Sequence, residues 1–168
     1  AYCSAVPRNM CSGGIKQKPL PAGDLLRSLS PPIAMRHKPI KNKLFVQNRL
    51  QLTELMVPKS LAVLNANDVL PTNADGSLPM HPNADLFYLS GIEQEESILL
   101  LFPDAADNKH REILFLRQPN QHMQIWEGYK HTKENARKIS GVKNIQWLSE
   151  FPVMFRSLIC EAESAYLN

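Results

Sequence analysis

The sequence predicts one α/β domain built on a mixed β-sheet flanked by helices, and three features predict it. Short apolar runs of strand length, at Ser60–Asn65, Ile98–Phe102, Ile113–Leu116 and Asn144–Leu148, alternate with longer stretches of helical spacing. The link from Phe102 to Ile113 is short and polar, which suits a hairpin, while other links are long enough to cross over, so both strand directions are expected. A chain of 168 residues with 43% hydrophobic content is enough for one packed domain of the usual ~100–150 residues plus a tail.

The tail comes first. Residues 1–43 carry eight Lys/Arg against the single acid Asp24, a net +7, whereas residues 44–168 carry eleven against fifteen, a net −4. The same stretch holds six of the thirteen prolines and three of the seven glycines. Such a composition buries too little apolar surface to offset the entropy of ordering it, so residues 1–41 read as a disordered basic extension and 42–168 as the folded domain. Basic tails attract phosphates, but no aromatic residue is interleaved with the charges after Tyr2, and nucleic acid is not an expected partner. The first residue is Ala1, and Met35 stands before the first periodic segment, so residues 1–34 read as an added leader or an upstream extension. Few acids and the patch Leu25-Leu26-Arg27-Ser28-Leu29 would suit a mitochondrial transit peptide; the dense prolines and lysines argue against one, leaving the cytoplasm as the expected compartment. No apolar run approaches the roughly 18–20 residues of a bilayer span, and no membrane association is expected.

In chain order, Asn42 is placed to cap a helix whose apolar positions Leu44, Phe45, Leu52, Leu55 and Met56 run until Pro58 stops it. Ser60–Asn65 follows as a buried strand. Asp68 to Pro82 is rich in Asn, Asp, Gly, Ser and Pro and reads as a long irregular loop, of the kind that often carries function or binds partners. Phe87 to Gly91 and then Glu93 to Phe102 read as strand, turn and strand. Ile113 to Arg117 leads to a corner, Ile125-Trp126-Glu127-Gly128, where the glycine admits backbone conformations closed to other residues. Thr132 caps a helix with a basic last turn that Gly141 ends, and Asn144–Leu148 is expected as the last strand. Ser149 then caps a C-terminal helix with Pro152 near its start and a stripe of Phe151, Phe155, Leu158, Ile159 and Ala162. Cys160 lies on that stripe and reads as a small buried hydrophobe. With Cys3 and Cys11 it forms no CxxC spacing, and a reducing compartment is the default. No internal repeat is visible.

Residues for chemistry are scarce. The five histidines, at 37, 81, 110, 122 and 131, include no HExxH pair, and there is no GxGxxG, GxxxxGK[ST] or GxSxG. Asp104 and Asp107 suit Asx-type turns better than a calcium loop, which would need a third acid and a glycine. Glu93, Glu95 and Glu96 could pair as carboxylates for acid and base work, but at a strand connection solvation is the simpler expectation. No catalytic and no metal-binding residue is expected in this chain.

The stretch from Asn83 through Phe87-Tyr88-Leu89-Ser90-Gly91 and Glu93 to Leu100 resembles the N-terminal domain of the aminopeptidase P (Xaa-Pro aminopeptidase, creatinase/prolidase) family, whose pattern is near N-S-x-F-x-Y-L-T-G-F-x-E-P-x-A-x-L-V-L. Ile113 to Arg117, Ile125-Trp126-Glu127-Gly128-Tyr129-Lys130 and Gly141-Val142 continue the likeness over roughly residues 42–165. The resemblance implies a ribonuclease-H-like fold without nuclease chemistry. It also implies a parent enzyme that releases the N-terminal residue preceding proline, using two divalent metal ions, usually manganese, held in a C-terminal pita-bread domain that this chain lacks. The expected partners are that catalytic domain, further copies of the chain and a peptide with proline at its second position. The N-terminal domain would shape substrate access and oligomer contacts; the alternative is a stand-alone binding or assembly module of the same fold. The parent could also have a creatinase-like or prolidase-like specificity. Trp126, His81 and Tyr88 are the substrate-access or interface candidates. Trp126 matches a tryptophan that can project toward a neighbouring subunit's cleft or pack in its own core. In Leu78-Pro79-Met80-His81-Pro82-Asn83, His81 stands where the family has an arginine and Pro82 where it has a glutamine.

Overall fold

The computed structural model describes residues 39–73, 76–119 and 130–168. The expectations for the tail before Pro39 and for the Trp126 corner lie outside the described residues. From Pro39 to Asn168 the chain forms one compact unit. Its elements are α1 (Asn42–Leu55), β1 (Ser60–Asn65), α2 (Ala84–Ser90), β2 (Ile98–Leu101), β3 (Glu112–Leu116), α3 (Lys133–Ser140), β4 (Asn144–Trp147), α4 (Phe151–Ile159) and β5 (Ser164–Leu167).

The five strands form one mixed sheet in the order β4-β3-β2-β1-β5. The two central pairings are antiparallel, with Leu100 opposite both Val63 and Ile113, and the two outer pairings are parallel. Side chains alternate across it. Ala62, Leu99, Leu101, Leu114 and Leu116 face α2 and α3 through Leu86, Leu89, Ile92, Ala136 and Val142, while Leu61, Val63, Leu100, Ile113 and Phe115 face α4 through Leu158, Phe151 and Phe155. Because both faces are covered, β2 and β3 read as continuous apolar runs and not as alternating ones. No helix among the described residues is long and apolar enough to cross a membrane.

One element was misassigned by sequence pattern: Phe87–Gly91 is the end of a helix and not a strand. The Asn83 side chain accepts the backbone N–H groups of Asp85 and Leu86 at 3.0 and 3.1 Å, and Asp85 sits in the first turn, so α2 has a well-formed N-terminus. Leu86, Leu89 and Ser90 turn inward at helical spacing, which leaves Tyr88 outside, 57% exposed. Gly91 closes the helix at φ 67°, its N–H donating to Phe87 O.

Other ends also move. Lys41 is the N-cap of α1, without a side-chain hydrogen bond, and Asn42 is already helical. Phe45, Asn48 and Arg49 form the buried side of α1, whereas Leu44 and Leu55 are exposed. A 3-10 turn over Leu148–Glu150 precedes α4, whose N-cap is Glu150 and not Ser149. Cys160 is exposed and not buried, because α4 ends at Ile159 and the chain turns there toward β5, an unpredicted strand.

Two helix ends are copies of each other. In Leu89-Ser90-Gly91-Ile92 and Ile139-Ser140-Gly141-Val142, each buried serine hydroxyl donates to a carbonyl four residues back and accepts the N–H two residues on, and each glycine is left-handed. The Phe45 ring lies directly over Gly91, where a Cβ would overlap it. Gly91→Ala therefore meets both an unfavourable φ and a steric clash, and it is expected to cost roughly 2–4 kcal/mol. Thermal unfolding of the variant measures it; a loss under about 1 kcal/mol would mean that Phe45 swings away freely.

Candidate functional site

Between α2 and β2 the chain passes through Glu93 to Ser97, and there the polar residues converge. The β2–β3 ladder pairs Ile98 with Phe115. Two residues further along each strand direction, Glu96 and Arg117 come to face each other, with Arg117 Nη1 3.5 Å from Glu96 Oε1 and 3.6 Å from Glu95 Oε1. The same Glu95 oxygen accepts a hydrogen bond from the Lys130 ammonium. Gln94 completes the arrangement: its Oε1 accepts the His131 N–H at 2.7 Å and its Nε2 donates to Arg117 O at 3.3 Å. Gln94, Glu95 and Glu96 thus hold Arg117, at the end of β3, together with Lys130 and His131, just before α3. These residues are the two stems of the stretch that carries Trp126.

Glu95 and Lys130 are both buried, which corrects the expectation of solvation for Glu95, while Glu93 and Glu96 are exposed. Burial alone would push the Glu95 carboxyl up. The Lys130 hydrogen bond and charge, Glu95's own backbone N–H and the Arg117 charge outweigh it and hold the group below the ordinary glutamate range. Burial pushes the His131 imidazole below its usual value, against the opposing pull of Glu93. Its Nδ1 lies 3.3 Å from Asn135 Nδ2.

Residues of the long loop form the wall over this cluster. A cleft of about 460 Å³ lies between Val69, Leu78 and Met80 above and Glu95, Arg117 and Lys130 below. His81 is exposed on the same loop, beside a neighbouring cleft that shares Leu78, Pro79 and Met80, and its backbone carbonyl accepts a hydrogen bond from Asn67 Nδ2 at 3.0 Å. Tyr88 lines a different groove, with Asn48, Leu52 and Leu55 of α1. His81 and Tyr88 are therefore not brought into one site, and Trp126 is outside the described residues.

Chemically the cluster is balanced, two cations against two carboxylates, and each charged group has a partner. Among the described residues no three His, Cys, Asp or Glu side chains converge to hold a metal ion, so a two-metal centre does not fit there. Asp104 and Asp107 act locally, accepting the backbone N–H groups of Lys59 and Lys109. The arrangement is suited to positioning a segment. Sequence reasoning had the hairpin but did not extend its register by the two residues that bring Glu96 to Arg117.

The comparisons with known proteins cover this same unit. A family model described as aminopeptidase P, N-terminal domain, matches residues 45–166. The Xaa-Pro aminopeptidase of Escherichia coli (strain K12) is 27% identical over 127 residues, covering 76% of this chain and 29% of that protein. Intermediate cleaving peptidase 55 of Saccharomyces cerevisiae is 28% identical over 88 residues, covering 51% of this chain and 17% of that protein. Among solved structures, aminopeptidase P from E. coli with the inhibitor Pro-Leu superposes with a TM-score of 0.67 at 27% identity, over 77% of this chain and 29% of that one. Aminopeptidase PepP of Pseudomonas aeruginosa shares the fold at a TM-score of 0.69 and 22% identity, again over 77% and 29%. The chain spans less than a third of the length of each of these relatives.

Proposed function

The chain belongs to the aminopeptidase P N-terminal domain family, and from that premise we propose that residues 42–168 are the non-catalytic N-terminal domain of an Xaa-Pro aminopeptidase-like metallopeptidase, with residues 1–41 an extension ahead of it. The observation that carries this reading is the extent of the match: residues 45–166 run from the first turn of α1 to β5, so the whole described unit is the family's domain. The parent protein would release an N-terminal residue preceding proline, in the cytoplasm. Two divalent metal ions, manganese by family resemblance, would sit in a C-terminal catalytic domain and there activate water and polarise the scissile carbonyl.

The task assigned to this domain is to shape substrate access and to make contacts between copies. The Gln94–Glu95–Glu96 clamp supports the first part, because it ties the two stems of the Trp126 stretch to the sheet. Trp126 is the proposed contact with a proline-containing peptide, in a neighbouring subunit's cleft, with His81 on the adjacent loop and Tyr88 as an interface residue.

The test uses the full-length protein loaded with manganese and a set of peptides differing at the second position. Release of the first residue is expected only before proline, with loss on chelation and recovery on adding manganese back. Trp126→Ala is expected to lower kcat/KM on longer peptides by about tenfold, with the melting temperature unchanged. A metal-loaded full-length protein that hydrolyses no Xaa-Pro peptide would overturn the peptidase reading in favour of a binding or assembly module.

A further inference from the structure

The net charge of −4 over residues 44–168 conceals a polarised surface. β3 and β4 run parallel, with Ile113 opposite Asn144, so their first residues lie at one end of the sheet. Lys109 and Arg111 precede β3 there, and Lys143 precedes β4. The Asn144 side chain donates to Lys109 O at 2.8 Å, and Arg137 Nε donates to Lys143 O at 3.3 Å. The last turn of α3, with Arg137 and Lys138, is thereby tied to the same corner. The start of α1 joins it as well. A Cβ placed on Gly141, where α3 ends, would stand 3.7 Å from the Asn42 Cβ, and Lys41 and Lys43 flank Asn42.

All seven of these cations are exposed, and the segments that carry them, 39–46, 107–113 and 137–144, hold two acids. One of the two, Glu112, lies 3.2 Å from the buried Arg49, which leaves Asp107 as the carboxylate that faces the seven. Toward β5 the excess ends: Lys59 pairs with Glu163 at 2.6 Å, and its backbone N–H donates to Asp104. The basic area is thus confined to the β4 side of the sheet end and to the adjoining ends of α1 and α3. Like charges gathered in this way repel one another, and an anionic surface relieves that repulsion.

We propose that this corner is a peripheral docking surface for an anionic lipid bilayer, with the cations against headgroup phosphates and Ile40 and Leu44 entering the headgroup boundary. Two observations select lipid over nucleic acid. Ile40 and Leu44, 50% and 48% exposed, stand on either side of Lys41 and Lys43, so apolar and basic groups are presented together, as interfacial binding requires. No exposed aromatic ring accompanies the charges for bases to stack on, since Phe45, the aromatic residue of these segments, is buried. The expectation of no membrane association considered only a bilayer span, and a peripheral contact needs none. The proposal is independent of the peptidase reading.

The test is sedimentation of the full-length protein with vesicles of phosphatidylcholine, alone or with about 30% phosphatidylglycerol, at low salt and at about 0.5 M salt. Wild type is expected to bind only the anionic vesicles, at low salt, and to be released by high salt. Lys109→Glu combined with Arg111→Glu and Lys143→Glu is expected to weaken that binding at least about tenfold, since each Lys or Arg near such a surface is worth roughly fivefold. Ile40→Ser with Leu44→Ser should weaken it about threefold and keep the salt dependence. Arg156→Glu, on α4, is the control and should change nothing. Every substituted site is exposed, so the variants should unfold at the wild-type temperature. Wild type that does not bind the anionic vesicles overturns the proposal whatever the variants do. Binding that survives the triple variant and disappears on removal of residues 1–38, which carry six further Lys/Arg, also overturns it. So does salt-sensitive binding to double-stranded DNA in place of vesicles, which would assign the corner to nucleic acid.

Discussion

Arg49→Met is expected to lower the unfolding free energy by about 3–5 kcal/mol, the usual loss when one member of a buried charged network is removed. Arg49 projects from α1 and is 0% exposed. Its Nη1 donates to Leu89 O at 2.7 Å and to Ser140 O at 3.0 Å, the carbonyls that the ends of α2 and α3 leave without helical partners. One guanidinium therefore closes two helix C-termini, where the helix dipoles favour a positive charge. Nη2 lies 3.2 Å from Glu112 Oε2 of β3 but makes no hydrogen bond of good geometry, so that contact is mainly charge attraction. Methionine fills much of the volume and leaves two carbonyls and a carboxylate facing each other without a donor. Against a typical total of 5–15 kcal/mol, the variant would stand near the limit of folding. Lysine keeps the charge but lacks the planar fork, and should recover less than half of the loss. Glu112→Gln, at a partly exposed site, should cost about 1 kcal/mol. Urea unfolding of the four proteins ranks them, and an Arg49→Met protein within about 1 kcal/mol of wild type would remove Arg49 from this role.

What could be read ahead of the structure follows from how local each signal is. β1, β2 and β3 were legible because burial on both faces makes their side chains uniformly apolar, and α3 because Thr132 and Gly141 mark its two ends. α2 was not, because seven residues are too few to establish a period, and Phe87-Tyr88 carry a strand preference that Asn83 and Gly91 override. The missing clue was the likeness of Leu-Ser-Gly-Ile at 89–92 to Ile-Ser-Gly-Val at 139–142: the same glycine was read as a helix end in one place and a strand break in the other. β5 escaped because Ser-Ala-Tyr-Leu lies at the edge of the sheet formed by the described residues and has no buried face to give it a pattern. The clamp escaped for a different reason. Glu95 meets Lys130 across 35 positions, and only the folded register and the entry into α3 bring the pair together. Arg49 was hidden in the same way, between helix ends 40 and 91 positions away.

Glu95→Gln carries the other large effect. Lys130 is 7% exposed, and with a neutral amide opposite it the ammonium stays in a site that water barely reaches, at an expected cost of about 3–5 kcal/mol at neutral pH. Arg117 cannot substitute for the lost charge, since it is itself a cation and retains Glu96. The acid dependence follows from the direction of the shift. The folded-state pKa of Glu95 lies below the unfolded value of about 4.3, so its stabilisation is fully present above that value and is lost as pH falls through the folded one. Wild type should consequently lose stability on acidification below about pH 4.3 more steeply than Glu95→Gln, and the gap between them should narrow as the pH falls through the folded-state value. Replacing both members, Glu95→Leu with Lys130→Met, removes the charges together and should recover more than half of the single variant's loss, a coupling that independent sites would not show. Urea midpoints across this pH range test all three expectations. A loss under about 1 kcal/mol that is constant with pH, and simple addition in the double variant, would mean that Glu95 and Lys130 do not lock the stems of the Trp126 stretch.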